Sequence, residues 1–286
     1  MQCTNKLIHM IRIEKLGFSY GQVPVLKNIT MNLETGKIYG LLGENGVGKT
    51  TLLTLLGGLK KPLQGSIDID GSAPYSRTPQ VLENQFYLAD EMLPVPMKAA
   101  EYARITGEFW PNYKQDTFEE IMELFENTSD KKMNEMSTGQ LKKTYISLTL
   151  ALGCKYLFLD EPTNGLDIPS KAQFRSALMK YTGEDSTIVI STHQVRDLEN
   201  IIDPIIILDR QDVLLNASLE EISRKLYFDY GTQLHPESLY SEQLPGGFIQ
   251  VYPNAEGADS KVNIEALFNA VHHNKEFIKG LFAETL

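Results

Sequence analysis

Cysteine is scarce in this sequence. Its 286 residues include only Cys3 and Cys154, and the chain holds no CxxC pair or Cys/His cluster. This scarcity argues against both a disulfide framework and a zinc site, and it fits a reducing, cytosolic compartment. We expect Cys154, which lies just before an apolar run, to be a small buried side chain.

Long hydrophobic runs and excess positive charge are also missing. A membrane-spanning helix needs about 20 mostly apolar residues, whereas the best stretches here, residues 145–154 and 201–209, are shorter. The formal net charge is −10, and duplex nucleic acid is held largely by Lys and Arg on phosphates. We therefore expect no nucleic-acid partner, and any membrane-spanning part would come from another chain.

The apolar residues that are present form short runs between helical segments. Hydrophobic residues make up 42% of the chain, which is enough for a large core. Runs such as KIYGLLG, KYLFLDEP, TIVISTH and PIIILD are apolar on both faces, which is typical of parallel strands. MIRIEKLGFSY and GSIDIDG alternate as half-buried strands do. The pattern predicts an α/β domain with a parallel sheet and antiparallel strands at its N-terminal side.

Two segments depart from this alternation. From about residue 94 to residue 143, apolar residues recur at helical spacing without a strand pattern, which predicts a helical insert with helices in MKAAEYARITG and KQDTFEEIMELFEN. From residue 219 onward the chain carries turns, one strand candidate (FIQVY) and a terminal helix. We therefore predict a main domain over residues 1–218 and a small C-terminal module over residues 219–286.

A glycine-rich loop separates KIYGLLG from a leucine-rich helical segment. Gly43, Gly48, Lys49 and Thr50 match the pattern G-x-x-x-x-G-K-[ST], and a strand before and a helix after are the context that this pattern requires. Without side chains, successive N–H groups can converge on one anion at the helix N-terminus. Lys49 would then reach the outer phosphates of a nucleotide, and Thr50 would place its hydroxyl on Mg²⁺. The alternative is a plain glycine turn.

Two carboxylates end the apolar run KYLFLDEP. Asp160 and Glu161 stand where a hydrophobic strand does not normally carry charge. Magnesium prefers oxygen ligands, so Asp160 is a candidate ligand, directly or through water. Glu161 is a candidate general base for a water that attacks the γ-phosphate. The alternative is a solvated turn, because Pro162 follows immediately.

A third segment, MSTGQ, opens a helix with Ser137, Thr138 and Gly139. A Ser and Gly helix start is either another anion site or a simple N-cap.

Together, these motifs in this order resemble the ATP-binding-cassette (ABC) ATPases, over about residues 10–215. GENGVGKT is similar to the Walker A loop, LFLDEP to Walker B with its catalytic glutamate, and MSTGQ to the signature LSGGQ. The resemblance implies that His193 contacts the γ-phosphate, that Asp167 lies in the D-loop and that Tyr20 stacks on adenine. The nucleotide-binding residues it implies, besides Tyr20 and Asp167, are Gly43, Glu44, Asn45, Gly46, Val47, Gly48, Lys49, Thr50, Thr51, Ser137, Thr138, Gly139 and Gln140. The alternatives are an ordinary strand tyrosine at Tyr20 and a plain strand-end histidine at His193.

Two positions depart from the family pattern. Thr138 stands where the signature usually has glycine, and its β-branched side chain narrows the backbone freedom there. The glutamine expected after the strand FYL is absent, since Gln85 comes too early, inside the strand. Asp90, with Glu91 as an alternate, takes this place, and we expect the Asp90 carboxylate to approach Mg²⁺ or its water.

The resemblance also implies partners. It predicts that ATP and Mg²⁺ bind between the Walker A loop of one copy and the signature of a second, identical or related chain. It further predicts separate transmembrane permease subunits that meet residues 94–143 at the cytoplasmic face of the membrane, in an exporter. The alternative is a soluble ABC-type ATPase or nucleotide-dependent switch that is not coupled to transport.

Overall fold

The protein's structure is a computed structural model, which describes residues 10–283. Cys3 and the outer ends of the two predicted domains, residues 1–9 and 284–286, lie outside this range. The strands are β1 (Met10–Tyr20), β2 (Val23–Glu34), β3 (Ile38–Leu42), β4 (Gln64–Ile69), β5 (Gln85–Leu88), β6 (Tyr156–Asp160), β7 (Thr187–Thr192), β8 (Ile205–Asp209), β9 (Asp212–Ala217), β10 (Leu226–Gly231), β11 (Tyr240–Leu244) and β12 (Gly247–Pro253). The α-helices are α1 (Lys49–Leu56), α2 (Pro79–Leu82), α3 (Ala99–Gly107), α4 (Gln115–Leu124), α5 (Thr138–Ala151), α6 (Ile168–Tyr181), α7 (Leu219–Lys225), α8 (Ile264–His273) and α9 (Lys275–Leu281).

A six-stranded sheet in the order β5-β6-β7-β3-β8-β9 runs through the centre of the main domain. The first five strands are parallel, and β9 pairs antiparallel with β8. Every residue of β6, β7 and β8 is buried, as expected for strands covered on both faces. Successive residues of β6 enter opposite cores, because strand side chains alternate: Phe158 enters one and Leu159 the other. The predicted parallel sheet is confirmed, whereas the edge strand β9 was not predicted.

The first core lies between this sheet and a second, antiparallel sheet of order β2-β1-β4. Ile11 and Ile13 of β1 share this core with Leu52 and Leu55 of α1. The predicted antiparallel strands at the N-terminal side are thereby confirmed. Their sheet shares this core with α1, the helix that follows the glycine loop.

Helices α3 to α6 cover the other face. Residues 94–143 contain no strand, and the two predicted helices correspond to α3 and α4. Phe118 and Ile121 of α4 are fully buried in the second core. Helix α5 begins near the end of this segment and leads the chain back to β6. Among residues 10–283, no helix combines the length and the apolar character that crossing a membrane requires.

The C-terminal segment contains more structure than the sequence predicted. Strands β10, β12 and β11 form an antiparallel sheet in that order, although only β12 was predicted, and the terminal helix is divided into α8 and α9. Leu267 and Val271 of α8 belong to the same core as α3 to α6. Lys275 reaches Asp209 of β8 at 2.5 Å, so charge as well as apolar packing joins this segment to the parallel sheet.

Candidate functional site

The glycine loop lies between β3 and α1 and has a backbone that only glycine accommodates well. Gly46 and Gly48 have φ values of 78° and 114°, in the region that favours glycine. A Cβ on Gly43 would lie 2.6 Å from the carbonyl oxygen of Leu208. A Cβ on Gly48 would lie 2.9 Å from Cγ1 of Val25. The glycines therefore permit both the turn and its close packing against neighbouring chain.

Lys49, the first residue of α1, points back over this loop. Its side chain is only 7% exposed, and its ammonium donates to the carbonyl oxygens of Gly43 at 2.7 Å and Glu44 at 3.2 Å. The ammonium also lies 4.0 Å from Oε1 of Glu161. Desolvation lowers the pKa of Lys49, and the carboxylates of Glu161 and Asp160 partly oppose this effect. A buried ammonium held by neutral carbonyls can exchange them for the oxygens of an anion.

Thr50 and Asp160 bring together the hard oxygen atoms that Mg²⁺ prefers. The Thr50 hydroxyl donates to Oδ2 of Asp160 at 2.6 Å, and the Asp160 side chain is buried at the end of β6. Ser191 donates to the other carboxylate oxygen at 2.5 Å, and Tyr87 donates to Oδ2 at 3.2 Å. Burial and Asp160 both raise the pKa of Tyr87, which keeps this phenol a donor. Sequence reasoning missed Ser191 and Tyr87, although each belongs to a strand that adjoins β6.

Glu161 lies directly after β6 in a left-handed conformation, with φ of 45°. Its amide donates to the hydroxyl of Ser191 at 3.0 Å. Its carboxylate lies 2.9 Å from Nδ1 of His193 and accepts a longer bond, at 3.4 Å, from the His193 amide. Glu161 and His193, which were predicted from separate motifs, therefore contact each other at the carboxyl ends of β6 and β7.

Asp90 has partners that the sequence did not predict. Its carboxylate accepts a hydrogen bond from the ammonium of Lys142 at 2.8 Å and another from the side-chain amide of Asn164 at 3.3 Å. The approach of Asp90 to Mg²⁺ stays a prediction.

Tyr20 ends β1 with a half-exposed ring. Its hydroxyl lies 3.3 Å from Oγ1 of Thr51, Phe18 packs edge-on against it at 5.1 Å, and the ammonium of Lys60 lies 5.0 Å from the ring centre. These contacts hold the ring, and its 49% exposure leaves aromatic surface on which a planar group could stack.

An open cavity of about 580 Å³ joins these parts. Its lining consists of Tyr20, Val25, Asn45, Gly46, Gly48, Lys49, Thr50, Thr51, Asp90, Asp160, Glu161, Asn164 and His193. Gly43, Glu44 and Val47 are not among the lining residues: the carbonyls of Gly43 and Glu44 hold Lys49, and Val47 is buried in the first core. The predicted loop, carboxylate and histidine residues thus converge on one space.

The signature segment does not line this cavity. Ser137 caps α5 by accepting from the Gln140 amide at 3.3 Å, and the Gln140 side chain accepts from the Ser137 amide at 3.1 Å. Thr138 is exposed and Gly139 half-buried. Asp167 caps α6 through the amide of Ser170, and hydrogen bonds from Ser170 lower its pKa. The helix start at Ser137 exists as predicted, but neither Ser137 nor Asp167 is among the residues that line the cavity.

A strand that runs into a glycine loop, a Lys-Thr pair that opens the next helix, and a carboxylate at the end of a nearby strand define a P-loop nucleotide-binding protein. Comparison with known proteins narrows this class. Residues 26–164 match the family described as ABC transporter. The uncharacterized ABC transporter ATP-binding protein YdbJ of Bacillus subtilis is 31% identical over 225 residues, which cover 74% of this chain and 70% of YdbJ.

Two further likenesses agree with this match. The bacitracin transport ATP-binding protein BcrA of Bacillus licheniformis is 27% identical, over 76% of this chain and 72% of BcrA. A dimeric bacterial ABC transporter cassette superposes with a TM-score of 0.65 at 22% identity, over 73% of this chain and 98% of the cassette. The chain therefore belongs to the ABC transporter ATP-binding proteins, and it is an ATPase.

Proposed function

We propose that ATP binds in the 580 Å³ cavity, with its phosphates on the glycine-loop amides and Lys49 and with its adenine on Tyr20. The loop, the start of α1 and the buried ammonium supply positive potential at one point. The half-exposed ring at the cavity edge supplies an apolar face. These contacts account for a site that takes a planar base and a polyphosphate together.

We further propose Thr50 and Asp160 as the residues that hold Mg²⁺. Their oxygen atoms lie 2.6 Å apart, and magnesium in nucleotide sites is bound through one or two carboxylates together with substrate phosphates. When bound, the ion would neutralise charge on the phosphates.

In the reaction, Glu161 acts as the general base. It takes a proton from water while the water oxygen attacks the γ-phosphorus and the bond from this phosphorus to the β,γ-bridging oxygen breaks, which releases ADP. His193, 2.9 Å from the Glu161 carboxylate, orients this carboxylate before ATP binds and is placed to contact the γ-phosphate afterwards. A base within hydrogen-bond reach of the water satisfies the geometric requirement of such catalysis.

The observation that favours a dimer is the position of the signature segment. Residues 137–140 open α5 with an exposed helix N-terminus, yet they do not line the chain's own cavity. Such a terminus attracts an anion, so we propose that it completes the site of a second copy. The solved dimeric cassette has a similar fold, which supports this arrangement.

We propose separate transmembrane subunits as the other partners, with residues 94–143 as the contact surface at the cytoplasmic face of the membrane. In this proposal residues 1–218 form the cassette and residues 219–286 a C-terminal extension. We propose that the direction of transport is export. The likeness to a bacitracin transport ATP-binding protein supports this proposal. Because the relatives are named as transporter proteins, a soluble switch is less favoured.

The test of this function uses Glu161→Gln, which keeps a side chain of the same shape but cannot accept the proton. At about millimolar ATP the variant should bind ATP, lose turnover and remain a dimer in light scattering, because hydrolysis no longer releases the partner. The same variant without nucleotide is the control. A monomer at saturating ATP would show that this chain does not form the proposed dimer with itself.

A mixing experiment tests whether the glycine loop and the signature segment of one nucleotide site come from the same chain or from two chains. Lys49→Met removes the loop cation, and Ser137→Arg blocks the exposed signature. Each variant alone should be inactive. Their mixture should regain part of the activity, because a mixed dimer contains one site with both parts intact. No recovery despite mixed dimers would place both parts in the same chain's site.

A further inference from the structure

Lys142 is a buried cation outside every motif assigned above. It lies in the second turn of α5 with its side chain 6% exposed. Its ammonium donates to three oxygens: the Asp90 carboxylate at 2.8 Å, the Asp90 carbonyl at 3.3 Å and the Glu161 carbonyl at 2.8 Å. One side chain of the helical segment therefore holds the main chain at two edges of the nucleotide cavity.

The first consequence concerns Glu161. Its amide donates to the Ser191 hydroxyl at 3.0 Å. Its carbonyl accepts from Lys142 at 2.8 Å and from the Asn164 amide at 3.1 Å, so both of its main-chain polar groups are held, and Lys142 is the charged donor among them. The residue has φ of 45°, a conformation that persists only when surrounding contacts enforce it. Since the main chain decides where the side chain starts, Lys142 helps to aim the Glu161 carboxylate into the cavity.

The second consequence concerns charge. Asp90, Asp160 and Glu161 all line the cavity, whereas Lys49 is the one lysine among its lining residues. Three carboxylates would repel a polyphosphate. Lys142 contacts Asp90 from outside the lining, so the pair is neutral overall. The neutral pair stands where the family pattern has a neutral glutamine.

We propose that Lys142 is a positioning residue for ATP hydrolysis, which fixes the main chain of Glu161 and neutralises Asp90 beside the bound phosphates. This inference rests on the proposed role of Glu161 as general base.

The two effects can be separated by kinetics. Lys142→Met should lower kcat by about 10- to 100-fold, since small displacements of a catalytic group cost this much. It should also weaken ATP binding, because Asp90 is no longer neutralised. The double variant Asp90→Asn/Lys142→Met should regain ATP affinity to within about threefold while kcat stays low, because the Glu161 carbonyl has lost its cationic donor and keeps only the Asn164 amide at 3.1 Å. Lys142→Arg, which keeps the charge and the donors, should retain most of the turnover.

Lys180→Met is the matched control, because Lys180 is an exposed lysine of α6 outside residues 94–143, and its ion pair with Glu120 does not line the cavity; it should leave both constants unchanged. The double variant leaves no unpaired buried charge and keeps the test valid if Lys142→Met does not fold. A kcat within about threefold of wild type in the double variant would overturn the inference. The proposed function would still stand in that case if Glu161→Gln abolishes turnover, and it would fail if Glu161→Gln turns over normally.

Discussion

Removing the charge of Lys49 is the most direct test of the nucleotide site. Lys49→Met keeps most of the aliphatic stem and deletes the ammonium, which is 7% exposed and bound to the carbonyls of Gly43 and Glu44. Without ATP, the variant lacks these two hydrogen bonds, which is unfavourable. It also no longer buries a charge, and this is favourable, because desolvation of the ammonium is what lowers the pKa of Lys49. Because the two effects oppose each other, we expect the free energy of unfolding to change by less than about 1 kcal/mol.

With ATP, the balance is different. In the proposed complex the ammonium exchanges neutral carbonyls for phosphate oxygens, and hydrogen bonds to charged groups contribute about 1.5–3 kcal/mol each. A net loss of about 3 kcal/mol corresponds to roughly a 100-fold weaker affinity. Titration calorimetry with ATP and Mg²⁺ measures this loss, and thermal denaturation without nucleotide checks the fold. Lys37→Met, which removes an exposed lysine at the far end of β3, serves as control.

The reasoning about Lys49 is refuted if the variant folds normally and binds ATP within about threefold of wild type. In that case the ammonium contacts only the loop carbonyls, and the main-chain amides alone hold the phosphates.

Three further predictions concern other residues. Thr138→Gly should raise ATP turnover, because glycine restores backbone freedom in the signature. It should also lower the free energy of unfolding by about 0.5 kcal/mol, because Thr138 is the first residue of α5. Unchanged turnover would show that threonine is harmless there. Burial raises the pKa of Cys154 to about 12. In a Cys3→Ser background, a chromogenic disulfide reagent at about pH 8 should therefore react with Cys154 only after denaturation. Rapid reaction of the native protein would contradict this burial. Burial lowers the pKa of His272, and Asp209 partly opposes this shift. The neutral histidine should therefore contribute its full stability above the unfolded pKa of about 6.5. This contribution should be lost as the pH falls through that value toward the folded pKa. Urea unfolding from about pH 7.5 to about pH 5.5 should show a smaller loss of stability in His272→Leu than in wild type, and an identical loss would exclude this histidine as a cause.

Much of the fold could be predicted because its signals are local. The parallel strands are apolar along their whole length, and α3 and α4 show helical spacing within single segments. Strand β11 was missed because its sequence, YSEQL, has four exposed residues of five and so no apolar alternation. Strand β9 was missed at the sheet edge, where it departs from the parallel pattern of its neighbours.

The candidate site was predictable to a similar degree and for the same reason. The glycine loop, the strand-end carboxylates and His193 each stand in a short recognisable segment, and the structure gathers them around one cavity. Lys142 carried no such signal. Lys142 is 52 residues from Asp90 in the chain, and a lysine in a polar helical turn is ordinary until packing buries it.

The sequence alone determined the chemistry of the phosphate site, because a glycine loop followed by Lys and Thr specifies its backbone and charges over nine consecutive residues, 43–51. Only the tertiary structure decided how the carboxylates are held, since Thr50 meets Asp160 and Lys142 meets Glu161 through strand order and helix packing. It also decided that the signature lies outside the chain's own cavity. Such contacts join groups far apart in the chain, and their distances depend on the whole packed core rather than on neighbouring residues.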